Sequence, residues 1–244
     1  MFASIRWKFI IVYFLLVFMA MVIVGVFIVQ RFEEQQLNNR MNNMIKQIES
    51  IISTFSYLSE DDWNYYSDEI QKMLNEWRFD SSETLYVIYN EDIPRIIASC
   101  HSNHEKIKGQ NALVYKYLDP TLILDAYNGK RNQIIRRDSN ESTKFQHLAY
   151  PVLNEVGQIK GVLYMTSDLQ DVYKTIDESK KILTSATMLA LAITVVLGFL
   201  IASSITEPIR DVTKKAERMA KGDFDQFVEV KSDDEMGQLA SMFK

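Results

Sequence analysis

The chain has 244 residues and a formal net charge of −5 at pH 7, with 47% hydrophobic and 24% charged residues. Its 27 basic residues are outnumbered by 32 acidic ones and form no stripe, which excludes a nucleic-acid partner of the usual kind. The single cysteine excludes a framework of internal disulfides.

Two stretches without charge, 9–30 and 182–206, are each long enough to cross a bilayer, which takes about 20 apolar residues. The first exceeds the apolar core of a signal peptide and no A-x-A-like cleavage site follows it, so we expect a retained anchor. We place a short N-terminus at 1–8 and transmembrane helices at 9–30 and 182–204. The second stretch contains small residues that either allow close helix packing or face lipid: Ala186, Ala190, Ala192 and Gly198.

Basic residues near the membrane ends predict the orientation. Arg6 and Lys8 precede the first span, and a cluster from Arg210 to Lys221 follows the second. Because cytoplasmic flanks are enriched in lysine and arginine, we expect both termini in the cytoplasm and residues 31–181 outside the cell membrane. Lys180 and Lys181, on the outer side, argue more weakly for the reverse.

The outer segment opens with a helical seam of apolar residues spaced alternately four and three apart: Leu37, Met41, Met44, Ile48, Ile51, Phe55 and Leu58. No glycine or proline interrupts the chain from Val26 to Leu58, so the span and this helix can form one rod. The seam either pairs with its copy in a homodimer, which the heptad spacing favours, or docks on the sheet that follows.

The rest of the outer segment predicts an α+β domain. A second helix is predicted within 60–77, with Asp61 or Asp62 available as its N-cap. Strands follow at 84–90, 94–100, 132–138, 144–153 and 159–169, and a short helix lies at 120–130. The order favours a mostly antiparallel sheet with helices on one side. The stretch "AYPVLNEVGQIKGVLYMTSDLQDVY" (149–173) resembles the end of the PAS-like (single Cache) sensor domains of bacterial receptors, which implies an extracytoplasmic sensor.

A small-ligand site is the functional hypothesis for this domain. In the last strand Val162, Tyr164, Thr166 and Asp168 alternate with Leu163, Met165 and Leu169, and the second set is predicted to pack on helices. The first set, with Arg136, could line a pocket. We therefore predict a site surrounded by Arg95, Tyr150, Tyr164 and Asp168. The alternative is a solvated polar face.

No catalytic or metal motif stands out. Cys100 lies beside His101 and His104, but a metal site usually needs three or four ligands and the third histidine, His147, is far along the chain. We expect no metal, no catalytic residue and no cofactor in these residues.

The segment 205–244 resembles a HAMP domain through three motifs: Thr206–Pro208–Ile209, Gly222–Asp223–Phe224 and Asp234–Glu235–Gly237. The resemblance implies a signal converter built as a parallel helical bundle of two copies, with its second helix cut short here. The residues predicted to transmit the signal are Pro208, Ile209, Val212, Met219, Phe224, Glu235 and Gly237.

The N-terminal "SIRWKFIIVYFLLVFMAMVIVGVFIVQRFE" resembles the first span of the WalK sensor histidine kinases. That implies a homodimer in the cell membrane, a downstream kinase region that needs ATP and Mg²⁺, and a response regulator as partner. The alternatives are a methyl-accepting chemoreceptor and a HAMP-linked cyclic-dinucleotide enzyme. The stimulus, which can be a ligand such as a wall fragment, a protein partner or lipid tension, and the direction of signalling stay open.

Overall fold

The computed structural model describes residues 5–54, 63–89, 92–137, 144–154 and 156–222. The chain divides into a sheet unit, Arg31–Asp177, and a helical unit formed by Met1–Gln30 with Glu178–Lys244. The helices of the described residues are α1 Ile5–Thr54, α2 Ser67–Glu76, α3 His104–Ile107, α4 Pro120–Tyr127 and α5 Gln170–Ala220. The strands are β1 Glu83–Tyr89, β2 Arg95–Ser99, β3 Asn132–Arg137, β4 Lys144–Leu153 and β5 Ile159–Asp168.

The five strands form one antiparallel sheet in the order β2-β1-β5-β4-β3. All five predicted strands are confirmed, each to within two residues at either end. α3 was not predicted, because four residues are too few to show a helical period.

The α1 side of the sheet carries a core that we call the helix-side core. Met41, Met44, Ile48 and Ile51 of α1 are 0–4% exposed and pack with residues of β1, β5 and α2. The preference for dimer pairing through this seam is therefore wrong for these four residues, because the sheet of the same chain already covers them. Phe55 and Leu58 lie outside the described residues. The predicted packing of Leu163 and Met165 on helices is confirmed.

The opposite face carries a second core, the distal core. Ile123 and Ala126 of α4 pack there with Tyr86, Val162 and Tyr164. The expectation of helices on one side only is therefore wrong. The central strands are apolar on both faces, so both faces require a cover.

Gly161 allows the sheet and a buried tryptophan to approach closely. A Cβ at this position would lie 2.5 Å from the carbonyl oxygen of Ile88 and 2.5 Å from Cζ3 of Trp63. Trp63 is fully buried in the helix-side core. The indole ring of Trp63 therefore occupies the space that a side chain at position 161 would need.

In the helical unit α1 and α5 are both long and apolar enough to cross a membrane. A Cβ on Gly198 would lie 3.8 Å from the ring of Tyr13 and 3.9 Å from Ile10, so this glycine is at the helix contact. Thr194 and Ala202, one turn to either side, are buried. Of the other predicted small residues, Ala190 is half-buried, whereas Ala186 and Ala192 are exposed.

One helix, α5, runs without a break from residue 170 to residue 220 and contains Pro208. It is followed by Gly222, whose φ of 90° is readily adopted only by glycine. The predicted end of the helix at this glycine is confirmed.

Candidate functional site

The guanidinium of Arg40, on α1, contacts residues at the start of β1 and at the end of β5, just before α5 begins. The Nε of Arg40 donates to Oγ of Ser167 on β5 at 2.7 Å, and Nη2 donates to Oγ of Ser82. Its Nη1 lies 3.4 Å from Oδ2 of Asp80 and 3.6 Å from Oε1 of Glu83. We call these five residues the Arg40 clamp.

The carboxylates of the clamp lie in different environments. The side chain of Glu83 is 1% exposed, whereas that of Asp80 is 53% exposed. The backbone N–H of Ser82, together with Arg40, holds the pKa of Asp80 below its usual range. A buried carboxylate needs a cation nearby, so Arg40 stabilises the position of Glu83 at the start of β1.

The first turn of α5 is fixed beside this clamp. Oδ1 of Asp168 accepts a hydrogen bond from the N–H of Gln170 at 2.7 Å, and the N–H of Asp168 donates to the Ser82 carbonyl at 2.8 Å. Nζ of Lys144 donates to the Tyr173 hydroxyl at 2.9 Å. The clamp and the start of α5 therefore share Ser82 as a neighbour.

The distal face holds a buried polar chain. The Asp119 N–H donates to the Tyr164 hydroxyl at 2.9 Å, and this hydroxyl lies 3.0 Å from Nδ1 of His147. Arg136 lies 3.6 Å from Oδ2 of Asp119. The Tyr164 oxygen thus has a donor and an acceptor within the protein.

Burial dominates the ionisation of this chain. It lowers the pKa of His147 to about 4 and raises the pKa of Tyr164, so both are neutral at pH 7. Burial acts to raise the pKa of Asp119, but hydrogen bonds from Thr121 keep it below its usual value. The neutral pair of His147 and Tyr164 therefore lies beside the Asp119 carboxylate, and Asp119 is the N-cap residue of α4.

The structure does not bring the four predicted ligand residues together. Tyr164 lies in the distal core, whereas Tyr150 lies in the helix-side core with its hydroxyl 3.2 Å from Oε1 of Glu49. Arg95, on β2, donates to the Gly109 carbonyl at 3.2 Å. Asp168 holds the first turn of α5. The proposed common pocket is therefore wrong for Tyr150 with Tyr164, while ligand binding by any one of the four stays a prediction.

The transmission residues divide between described and undescribed parts of the chain. Pro208, Ile209, Val212 and Met219 lie in α5, where Val212 and Met219 are half-buried and Ile209 is exposed. Phe224, Glu235 and Gly237 lie outside the described residues. Within the described part of the chain, no group of three or more His, Cys, Asp or Glu side chains could hold a metal ion.

Residues 200–243 match the model of the HAMP domain family. The chain carries a HAMP domain. The predicted motifs from Thr206 to Gly237 fall within this match, and α5 enters it directly from the second candidate span.

The chain is also similar over nearly all of its length to WalK sensor kinases. It is 30% identical to the sensor histidine kinase WalK of Bacillus subtilis (strain 168), over 99% of this chain and 39% of that protein. It is 29% identical to the sensor protein kinase WalK of Staphylococcus haemolyticus (strain JCSC1435), over 98% of this chain and 39% of that protein. The chain thus spans about two fifths of the length of these relatives.

Among solved structures, the sensor domain of the V. cholerae histidine kinase DctB matches with a TM-score of 0.35 and 20% identity, over 56% of this chain and 55% of that one. The relatives and the two membrane-capable helices together show a membrane protein homologous to WalK sensor kinases.

Proposed function

We propose that this chain is the sensing and transmission part of a homodimeric sensor histidine kinase. The observation that carries the proposal is the single helix α5, which begins at the last strand of the sheet, contains the second candidate span and enters the HAMP segment. One helix that joins a folded domain to a HAMP segment can carry a displacement between them.

In this proposal residues 31–181 form a PAS-like (Cache) domain outside the cell, and both termini are cytoplasmic. The positive-inside bias of the basic residues from Arg210 to Lys221 supports that orientation. A stimulus in the outer domain changes the relation of the two spans, and the HAMP segment converts this change into a choice between helix packings.

The HAMP segments of two copies form a parallel four-helix bundle. The apolar positions Ile209, Val212 and Met219 of α5 face its axis, and Phe224 belongs to the connector. Pro208 stands at the membrane exit, and Glu235 and Gly237 open the second helix. The kinase region that follows in proteins of this kind uses ATP and Mg²⁺ and passes a phosphoryl group to a response regulator.

The test is a chimera in which residues 1–244 replace the corresponding part of the B. subtilis WalK kinase, reconstituted in lipid nanodiscs. We expect acid-labile phosphate on histidine after incubation with ATP and Mg²⁺, and a change of at least twofold in its rate when Arg40 is replaced by Gln. An active parent kinase beside a silent chimera, or a rate that no sensor-domain variant alters, would refute the proposal.

A further inference from the structure

A groove of about 540 Å³ lies beside the Arg40 clamp, between the end of α2 and the ends of β1 and β2. Its lining combines two aromatic rings, two carboxylates and a thiol: Trp77, Phe79, Asp80, Glu83 and Cys100. Two of these residues, Asp80 and Glu83, belong to the clamp, so the groove adjoins the carboxylates that hold α1.

The charge of the groove favours a cation. Asp80 and Glu83 carry two negative charges, and Arg40, which pairs with both, supplies one positive charge. The ten-residue helix α2 ends at Glu76, with Trp77 as its C-cap residue in the groove lining, so its last carbonyl groups add partial negative charge. One further monovalent cation would bring the net charge of Asp80, Glu83 and Arg40 to zero.

Glu83 has a carboxylate oxygen in need of a donor. Its side chain is 1% exposed, and Oε1 faces Arg40 at 3.6 Å. Its Oε2 is buried and has no hydrogen-bond partner among the described residues. Leaving a charged acceptor buried and unpaired is unfavourable, so an N–H or O–H group placed beside Oε2 would stabilise it.

The lining fits an organic cation better than a metal ion. Among the described residues no three or more metal-binding side chains converge, and Nδ1 of His101, at the rim, already accepts from the Asn103 N–H at 3.1 Å. Trp77 and Phe79 are partly buried against the helix-side core and add a small aromatic area to a groove whose exposed lining is mostly polar, and an aromatic ring attracts an ammonium group.

We propose that this groove binds the primary ammonium group of a small organic molecule, with the ammonium donating to Glu83 and Asp80. Because the ammonium shares these carboxylates with Arg40, its binding weakens the hold of the clamp on α1 beside the start of α5. The signalling consequence rests on the proposed function, whereas the binding itself does not.

The experiment uses the full chain in lipid nanodiscs with 5-fluorotryptophan at its 3 tryptophan positions. The probe is n-butylammonium chloride, and n-butanol is its neutral control. We expect butylammonium to shift the fluorine resonance of Trp77 saturably and to leave that of Trp63, in the core, unchanged. We also expect it to slow alkylation of the single cysteine, Cys100, by N-ethylmaleimide at least threefold. Butanol should do neither.

Variants locate the site. Glu83→Gln should weaken butylammonium binding at least tenfold and Asp80→Asn at least threefold. The matched control Asp68→Asn, a carboxylate on α2 that does not line the groove, should leave it unchanged. A shifted Trp63 resonance in Glu83→Gln would show that this variant disturbs the fold. In that case the comparison rests on Asp80→Asn, because the Asp80 side chain is more exposed.

The proposal is overturned by an equal response to butanol, by full binding in Asp80→Asn, or by no saturable shift, in which case water satisfies Glu83. None of these results affects histidine phosphorylation in the kinase chimera, so failure here and failure of the proposed function are distinguishable.

Discussion

Replacing Arg40 with Met tests whether the clamp holds α1 to the sheet. Methionine keeps the apolar stem of the side chain and removes the guanidinium. The substitution takes away the donor to Ser167 and the only cation that the described ion pairs place beside Glu83.

The expected loss follows from burial. Removing one partner of a buried ion pair costs about 3–5 kcal/mol, because the other charge stays desolvated. The Glu83 side chain is 1% exposed, but Arg40 is 18% exposed and its Nη1–Oε1 distance is 3.6 Å, so water screens part of the interaction. We expect a loss near the lower end, about 3 kcal/mol. The double variant Arg40→Met with Glu83→Gln should be less destabilised than the sum of its single variants by about 1–2 kcal/mol.

Hydrogen exchange of the full chain in nanodiscs, read by mass spectrometry at the β1 and β5 amides, measures this free energy. The control is Arg31→Met, because Arg31 forms an exposed pair with Glu34 on the same helix, with side chains 69% and 64% exposed. We expect the control to change stability by less than about 0.5 kcal/mol. A loss in Arg40→Met no larger than in this control, or strict additivity of the double variant, would show that the clamp does not hold the helix.

Three further variants test the two cores. Gly161→Ala should destabilise the chain by about 3 kcal/mol, because the new Cβ would lie 2.5 Å from both Trp63 and the Ile88 carbonyl. Ile48→Ala, at a fully buried position on α1, should cost about 3–4 kcal/mol through the cavity that it leaves. Burial lowers the pKa of His147 from 6.5 to about 4, so the unfolded chain takes up this proton first as pH falls. The sheet unit should then lose about 2 kcal/mol between pH 7 and pH 5, and His147→Gln should remove most of that loss.

Exposed positions supply the controls, with urea unfolding in detergent micelles as the common measurement. Val156→Ala and Val114→Ala, at side chains 81% and 78% exposed, should leave the unfolding midpoint nearly unchanged. A midpoint in Gly161→Ala or Ile48→Ala equal to that of these controls would contradict the packing described here. An equally steep pH dependence in His147→Gln would place the titrating group elsewhere.

The ligand hypothesis shows what the sequence left open about the site. Alternation along β5 correctly separated Tyr164 from Leu163, but relating β4 to β5 requires their register. Tyr150 pairs with Leu163, so it shares the face of Leu163 and is separated from Tyr164. A register shift at Val152/Leu153, next to the turn, means that counting from the hairpin does not give this pairing.

The Arg40 clamp was missed for a related reason. Arg40 directly precedes a seam residue, Met41, and that position was the one available signal. Its partners at 80–83 and 167 come from distant parts of the chain, and no local pattern marks Glu83 as a buried carboxylate.

The sequence by itself determined the features that depend on local period and composition. These are the two apolar spans, the five strands, the glycine that follows α5 and the HAMP motifs, since alternation, helical spacing and turn residues act over a few neighbours. The tertiary structure alone decided that the α1 seam docks on the sheet, that α4 covers the distal face, and that Arg40 meets Glu83. Each of these depends on which surfaces the folded chain brings together, and a heptad seam or a lone arginine is equally compatible with several partners until that contact forms.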